Sequence, residues 1–407
     1  MMHQPWAAVV VAAGILATAS AACDDVDNYL GIPNPLTGDM EIDLEGVSSV
    51  ECAEIETDAG NEILLEQIVI DGGSVTLKSS SYVRFANVEF DVKPGATLVF
   101  DMPETYFGPN TARKEGTWYY NSFGMNVDEG ATVTFAGDVV ASDVSNAFTA
   151  FYNRGSMEFQ KTALFEDGTY VFYENQGTIK FRGDATFRNN RFHAIQNIFS
   201  GYIRFSKDVL FDGNSYEDDN IGTCSLSCID EESRIVVRGD AVFQNHNCPG
   251  VALWQLYGTT KFYGKAYFNN NSRDKTTFDY NLDGNLGGAV VVSGGTMTFN
   301  GAVQFNDNSA EAFGGGLGIE DGDVIFKKWT TFDGNSADNG AAFAMTGGTL
   351  TFQEPKVVTR FTNNDVYEDE YPVEESCTVG FVADEALVIG FPGDDICVAG
   401  GSTRKLL

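Results

Sequence analysis

The chain has 407 residues, 43% of them hydrophobic, and carries 58 acidic against 25 basic side chains, a net charge of −33. A surface this anionic repels nucleic acid and anionic membranes and favours cations or basic partners. Past the N-terminus no apolar stretch approaches the length of a membrane-spanning helix, so no transmembrane span is expected.

The N-terminal run MMHQPWAAVVVAAGILATASAAC reads as a secretory leader over residues 1–22. An apolar stretch from Ala7 to Ala17 leads into the small-x-small pattern Ala19-Ser20-Ala21, and no charged side chain precedes Asp24. The mature chain is therefore expected to be secreted, at the cell surface or extracellular, where thiols oxidise. Cys23 and Cys52 at the front, and Cys377 and Cys397 at the back, are the expected disulfide partners. Cys224, Cys228 and Cys248 read as disulfide-forming thiols before zinc ligands, because zinc sites take four ligands.

Residues 23–62 are expected to form an N-terminal cap. From about Ile63 the chain becomes a series of short alternating segments: IVIDGGSVTL, YVRFANVEF and ATLVF. A regular repeat then sets in: SMEFQKTALFEDG from Ser156, TIKFRGDATFRNN from Thr178, YIRFSKDVLFDGN from Tyr202, RIVVRGDAVFQNH from Arg234, TTKFYGKAYFNNN from Thr259, TMTFNGAVQFNDN from Thr296 and DVIFKKWTTFDGN from Asp323. The apolar positions recur every two residues, the strand period. Successive copies start 22 to 37 residues apart. Helical 3.6-period stretches, which a βαβ unit requires, do not occur between them. A propeller blade needs about 40 residues. The spacing predicts an all-β parallel β-helix of about ten rungs over residues 63–365, closed by a C-terminal cap or tail over 366–407. The intervals longer than a rung, GNSYEDDNIGTCSLSCIDEES and SRDKTTFDYNLDGN, read as extruded loops.

In such a solenoid each repeat position stacks on its equivalent one rung away. Phe159, Phe181, Phe205, Phe262, Phe299 and Phe326 should form one internal stack, with Val237 the exception. Phe165, Phe187, Phe211, Phe243, Phe268, Phe305 and Phe332 should form a second. Asn190, Asn214, Asn271, Asn308, Asn335 and Asn364 fall three residues after the second Phe and should form an amide ladder, interrupted by Gly168 and His246. The pairs Gly287-Gly288, Gly314-Gly315 and Gly340-Ala341 mark tight turns.

Phe-x-x-Asn combined with Gly-Gly-Ala, as in FNNNS with GGAV, FNDNSA with GGGL and FDGNSA with NGAA, resembles the repeat of chlamydial-type polymorphic outer membrane proteins. Phe-x-x-Asn recurs serially from about residue 156 to 364. The resemblance implies a right-handed β-helix and an adhesive surface passenger. The chain departs from that family in ending soon after the repeats, with no room for the family's membrane-embedded barrel.

Parallel β-helices also carry polysaccharide lyases, hydrolases and epimerases, so catalysis is the rival reading. Behind the leader only His193 and His246 remain, and no Gly-His-Gly, Asp-Pro-His or paired-Asp signature occurs on a strand. Both histidines read as structural. No catalytic residue and no cofactor is expected, with calcium the possible exception: Glu320, Asp321 and Asp323 offer oxygen ligands, without the spacing of a known calcium loop. Asn270-Asn271-Ser272 is an N-glycosylation sequon. The sequence thus predicts a non-catalytic surface or matrix protein that binds an extracellular ligand, a polysaccharide or a basic protein, through its β-helix face and loops.

Overall fold

The structure is a computed structural model. It describes residues 9–12, 36–38, 40–45, 49–51, 55–56, 63–64, 66–86, 88–108, 123–142, 149–168, 171–191, 193–215, 223–248, 250–273, 286–311, 313–338, 340–353, 360–366, 380–382, 387–389 and 396–398. The described secondary structure is β-strand throughout, and apart from one short hairpin (Ile55–Glu56 with Ile63–Leu64) every pairing is parallel. The fold is a parallel β-helix. Crossovers between parallel strands are right-handed in nearly all proteins, the hand the resemblance implies.

The chain divides into two compact units, Met1–Asp184 and Ala185–Leu407. In each, a rung consists of three strands that belong to three separate sheets. In the first unit one rung runs Ser156–Phe159, Ala163–Glu166 and Phe172–Asn175. In the second, a rung runs Thr296–Phe299, Val303–Asn306 and Leu317–Ile319, with the two-residue strand Ser309–Ala310 adding a fourth, short sheet. About ten rungs fit the expected span, and the sheets continue past both of its ends. Met40–Asp43 pairs with Ser74–Lys78, and Leu387–Ile389 pairs with Thr349–Phe352. These end strands lack the repeat's Phe and Asn. The stretch read as a leader contributes Val9–Ala12, paired with Met40–Asp43; an apolar run beside an open strand edge satisfies that edge.

Alternation places side chains. In Thr178–Phe181 the residues Ile179 and Phe181 are fully buried while Thr178 and Lys180 face outward. Stacking then sets the core. Phe100, Phe135, Phe159 and Phe181 lie ring over ring at 4.8 Å, with interplanar angles of 12–15°. In the second unit Phe187, Phe211, Phe243, Phe268, Phe305, Phe332 and Phe361 continue the same way at 4.6–5.1 Å. Val237 sits in register between Phe205 and Phe262, as the repeat requires.

The asparagine ladder runs through the turn after the second-sheet strand. Asn308 donates through Nδ2 to Asn335 Oδ1 (2.9 Å) and to the Phe268 carbonyl (2.8 Å), while its backbone N–H donates to the same Asn335 Oδ1 (3.1 Å). Asn335 repeats this with Asn364 and the Phe305 carbonyl, and Asn271 with Asn308 and the Phe243 carbonyl. Asn190 bonds Asn214 likewise. Each buried amide thus takes up one backbone donor and one backbone acceptor that the end of strand pairing leaves open. The residue just before each ladder position has positive φ: Asn189, Gly213, Asn245, Asn270, Asp307, Gly334 and Asn363, all between 51° and 68°. Only Asn, Asp and Gly tolerate that conformation readily, which accounts for the third position of Phe-x-x-Asn.

The small pairs occupy a tight connection. Gly314 has φ of 67°, and a Cβ on Gly288 would sit 2.3 Å from the carbonyl oxygens of both Gly315 and Ser309. One expected loop is revised. Within GNSYEDDNIGTCSLSCIDEES, Thr223–Cys228 is a third-sheet strand between Ile195–Asn197 and Val251–Gln255. Its Thr/Ser/Cys composition conceals the apolar alternation that marks other strands. The second expected loop begins with a two-residue strand, Ser272–Arg273, in the fourth sheet; residues 216–222 and 274–285 lie outside the described residues.

His246 replaces a ladder asparagine and is fully buried. Its Nδ1 meets the Asn214 carbonyl at 3.1 Å and so donates; its Nε2 meets Ser225 Oγ at 3.0 Å and so accepts. Ser225 Oγ also accepts from Asn214 Nδ2 at 3.1 Å. The neutral ring is fully satisfied, and burial pushes its pKa from 6.5 down to about 4, against the opposing pull of the Asn214 carbonyl and Asp212.

The ladder can be tested at its amides and at its histidine. Asn335→Ala removes the acceptor of two Asn308 donors and should lower unfolding free energy by roughly 1–3 kcal/mol. Asn364→Ala, at the half-exposed end of the described ladder, should cost less. Equal losses in urea denaturation of the two variants would refute the ladder's role. For His246 the folded pKa lies below the unfolded one, so the unfolded chain binds the extra proton. Stability should therefore fall as pH drops from about 6.5 to about 4, by roughly 2–4 kcal/mol through this group alone. His246→Asn should remove that component, seen as the difference between the two chains' stability–pH curves.

Candidate functional site

A β-helix commits its inward positions to stacking and leaves the outward ones to chemistry. In the first unit, two adjacent second-sheet strands, Val83–Ala86 and Glu104–Phe107, place Arg84 and Tyr106 in register on the outer face. Tyr82, in the turn before the first strand, is 55% exposed, and Glu104 opens the second. Tyr82, Arg84, Glu104 and Tyr106 line an open depression of about 370 Å³. Arg84 is fixed by donating Nε to the Gly108 carbonyl at 2.7 Å, with its guanidinium carbon 6.0 Å from the Tyr106 ring centre. Two aromatic faces, a fixed cation and a carboxylate together can stack on a flat apolar ring face and hydrogen-bond its hydroxyl edge. The signal was present in the sequence as Y-x-R in one rung and E-x-Y in the next, outward positions at period two. Sequence reasoning passed over it because it looked for acid/base and metal patterns.

The expected calcium ligands are not gathered into a cage. Asp321 and Asp323 are exposed and Glu320 half-buried; Asp323 opens a first-sheet strand between Thr296 and Thr349. Among the described residues no three His, Cys, Asp or Glu side chains converge on one point. Glu320 instead lies near Arg273, a half-buried guanidinium that donates to the Leu286 carbonyl at 2.7 Å; burial lowers the pKa of Arg273 against the opposing pull of Glu320.

Of the expected cysteine partners, Cys23, Cys52 and Cys377 lie outside the described residues, as does the side chain of Cys397, whose backbone lies in the strand Ile396–Val398. Cys248 is disulfide-bonded. Cys228 is free and buried, and burial pushes its thiol up to about 12, so it is inert at neutral pH. His193 is buried, as is His246. In the sequon, Asn270 is exposed on the turn while Asn271 is buried in the ladder, so the acceptor side chain faces solvent.

A second polar column, in the third sheet, went unforeseen. Asn153 and Asn175 in the first unit are buried in the third sheet and joined at 2.7 Å. Like the main ladder, it is structural.

No protein-family model matches the chain, and comparison with curated proteins and with solved structures finds no match.

Proposed function

We propose that this chain is a secreted, non-catalytic surface or matrix protein that binds extracellular polysaccharide, with Tyr82, Arg84, Glu104 and Tyr106 as one glycan subsite. The observation that carries the reading is that depression: two tyrosines, an arginine and a glutamate facing outward from adjacent rungs of a rigid sheet. The leader-like Ala7–Ala17 run, the disulfide at Cys248 and the resemblance to adhesive polymorphic outer membrane proteins support an extracellular setting. A sheet held by stacked rungs gives a pre-organised surface, so little ordering entropy opposes binding.

One observation favours a second reading, a carbohydrate-active enzyme. Glu104 is in register with Asp138 on the next rung, and both face outward, which sets two carboxylates side by side near the same depression. Such pairs serve glycoside chemistry. Asp138 Oδ1, however, already accepts the Thr162 backbone N–H at 2.9 Å, a capping role.

Oligosaccharide binding, measured by calorimetry across a neutral panel with product analysis on the same samples, tests both. Tyr82→Ala and Tyr106→Ala should each weaken binding about tenfold, about 1.4 kcal/mol, with circular dichroism unchanged. Full affinity in the double variant would refute the subsite. Chain shortening that disappears in Glu104→Gln would establish the enzyme instead.

A further inference from the structure

The protein's net charge hides a local reversal. The first sheet of the second unit includes Tyr202–Phe205, Arg234–Val237 and Thr259–Phe262 on three successive rungs. Outward on them lie Arg204, Arg234 and Lys261, and the corner after each strand adds Lys207, Arg238 and Lys265. All but half-buried Arg204 are exposed. The ion pairs at Lys78, Lys93, Arg154 and Arg182 belong to the first unit. Several cations there are neutralised: Lys93 sits between Asp91 and Asp128, and Arg154 also bonds Asp128. The six cations of the second unit's strip make no ion pair with a described residue, and the Nε of Arg204 has no hydrogen-bond partner.

The acidic groups nearby are engaged with backbone. Asp208 Oδ1 accepts from Asp240 N, and Asp240 Oδ1 from Lys265 N, each at 2.8 Å. Asp230 at the opposite corner accepts from Phe199 N at 2.6 Å, with exposed Glu231 and Glu232 beside it marking that edge of the strip. None of the six cations is therefore in direct contact with a carboxylate among the described residues, on a −33 protein.

Aromatic side chains flank the same three rungs. Tyr257 and Tyr263, 47% and 49% exposed, stand at the two ends of the strand Thr259–Phe262. Arg238 lies 5.6 Å from the Tyr263 ring centre. Phe199 is 60% exposed and holds a φ of 45°, a strained conformation for an aromatic residue. Strain of this kind persists where the surroundings impose it and clusters at binding sites.

The geometry points to a binding strip for a linear anionic polysaccharide, uronate or sulfated, laid along the stacking direction of the second unit's first sheet. This rests on the extracellular glycan-binding reading but uses a different unit and different residues from the Tyr82–Tyr106 subsite. Successive rungs place Arg204 and Lys261 two steps apart, about 10 Å, so cations recur at the pitch of the scaffold rather than clustering at one point. Tyr257 and Tyr263 supply faces for sugar rings. The strip is three rungs long and bordered by Asp323 in the first sheet and by Glu231 and Glu232 at the corner. An acidic border rejects the dense phosphate array of a nucleic-acid strand, single or paired, while leaving room for a chain of more widely spaced anions.

The test compares four probes on the full-length mature protein at low and at physiological salt: a hexauronate, a sulfated hexasaccharide, a neutral hexasaccharide and single-stranded dT12. Binding of the hexauronate or the sulfated hexasaccharide, weakening as salt rises, is expected; which of the two binds more tightly separates carboxylate from sulfate recognition. The triple variant Arg204→Ala/Arg234→Ala/Lys261→Ala should weaken that binding at least tenfold with a flatter salt dependence. The corner variant Arg238→Ala/Lys265→Ala, which leaves the sheet face intact, should weaken it several-fold. Neutral-sugar binding dependent on Tyr82 and Tyr106 should be unaffected, so loss of one site is distinguishable from loss of the other. The strip is refuted if neither anionic sugar binds, if both variants bind as well as the parent, or if dT12 binds more tightly than either sugar.

Discussion

Everything in this protein depends on one constraint: a rung cannot satisfy the polar groups of its own turn. Where the second-sheet strand ends, ladder pairing stops and a backbone N–H and C=O are left facing the interior. The Asn amide resolves this because it carries donors and an acceptor on one short side chain. It works only if an equivalent amide sits one rung away, as Asn308, Asn335 and Asn364 do. That fixes the register, and with the register fixed the phenylalanines overlap ring on ring at 4.6–5.1 Å. The Phe stacks add dispersion and apolar burial to that register, and in the first unit Phe100, Phe135, Phe159 and Phe181 stack at 4.8 Å ahead of the ladder's first asparagine.

The one substitution within the ladder shows how tight the requirement is. An imidazole at His246 is longer than a carboxamide and cannot accept from Asn214 as the next Asn would. The third-sheet strand Thr223–Cys228 answers with a register shift between Thr223 and Leu226, where Ser225 stands fully buried between Asn214 and His246. The irregular strand and the irregular ladder position are two parts of one repair. His246 N–H still reaches the Asn271 oxygen, at 3.4 Å, longer than the 2.9–3.1 Å of the regular copies.

What could be read from sequence was what stacking repeats. The Phe columns, the Asn column and the Gly pairs recur because each copy meets its own image. The αL residue before each ladder Asn was legible too, as an unbroken series of Asn, Asp and Gly, but it hides inside a motif whose Phe and Asn draw the eye. The third sheet was not legible as alternation. Val290–Val292, Leu317–Ile319 and Phe343–Met345 are buried at every position, because the Gly-rich connection of one rung lies across the outside of the next. Gly318 is small for that reason: a Cβ there would meet Leu286 Cβ at 2.6 Å. A strand buried on both faces has no polar phase to betray its period. Thr223–Cys228 was concealed by the opposite composition, polar where its neighbours are apolar.

The candidate site was harder to read for the same reason that the fold was easy. Stacking dictates inward residues and turns and says nothing about the outward positions, so function there carries no periodic signature. Arg84 opposite Tyr106 cannot be found by aligning repeats, since the pair does not recur; Arg204 and Lys261 do share one column of the repeat, but a lone cation at an outward strand position reads as ordinary surface. Charge shows the point most directly. A net charge of −33 suggests a uniformly acidic object that attracts basic partners. Yet the cations are not treated alike: in the first unit Lys93, Arg154 and Arg182 are matched with carboxylates on neighbouring rungs or strands. In the second, the outward cations of three consecutive rungs are left without carboxylates. Because rung spacing is fixed by the ladder, unpaired charges on successive rungs become a row at constant pitch. A scaffold that stabilises itself by repetition thereby presents a ruler on its outer face, and the partner best suited to a ruler is itself a repeating chain.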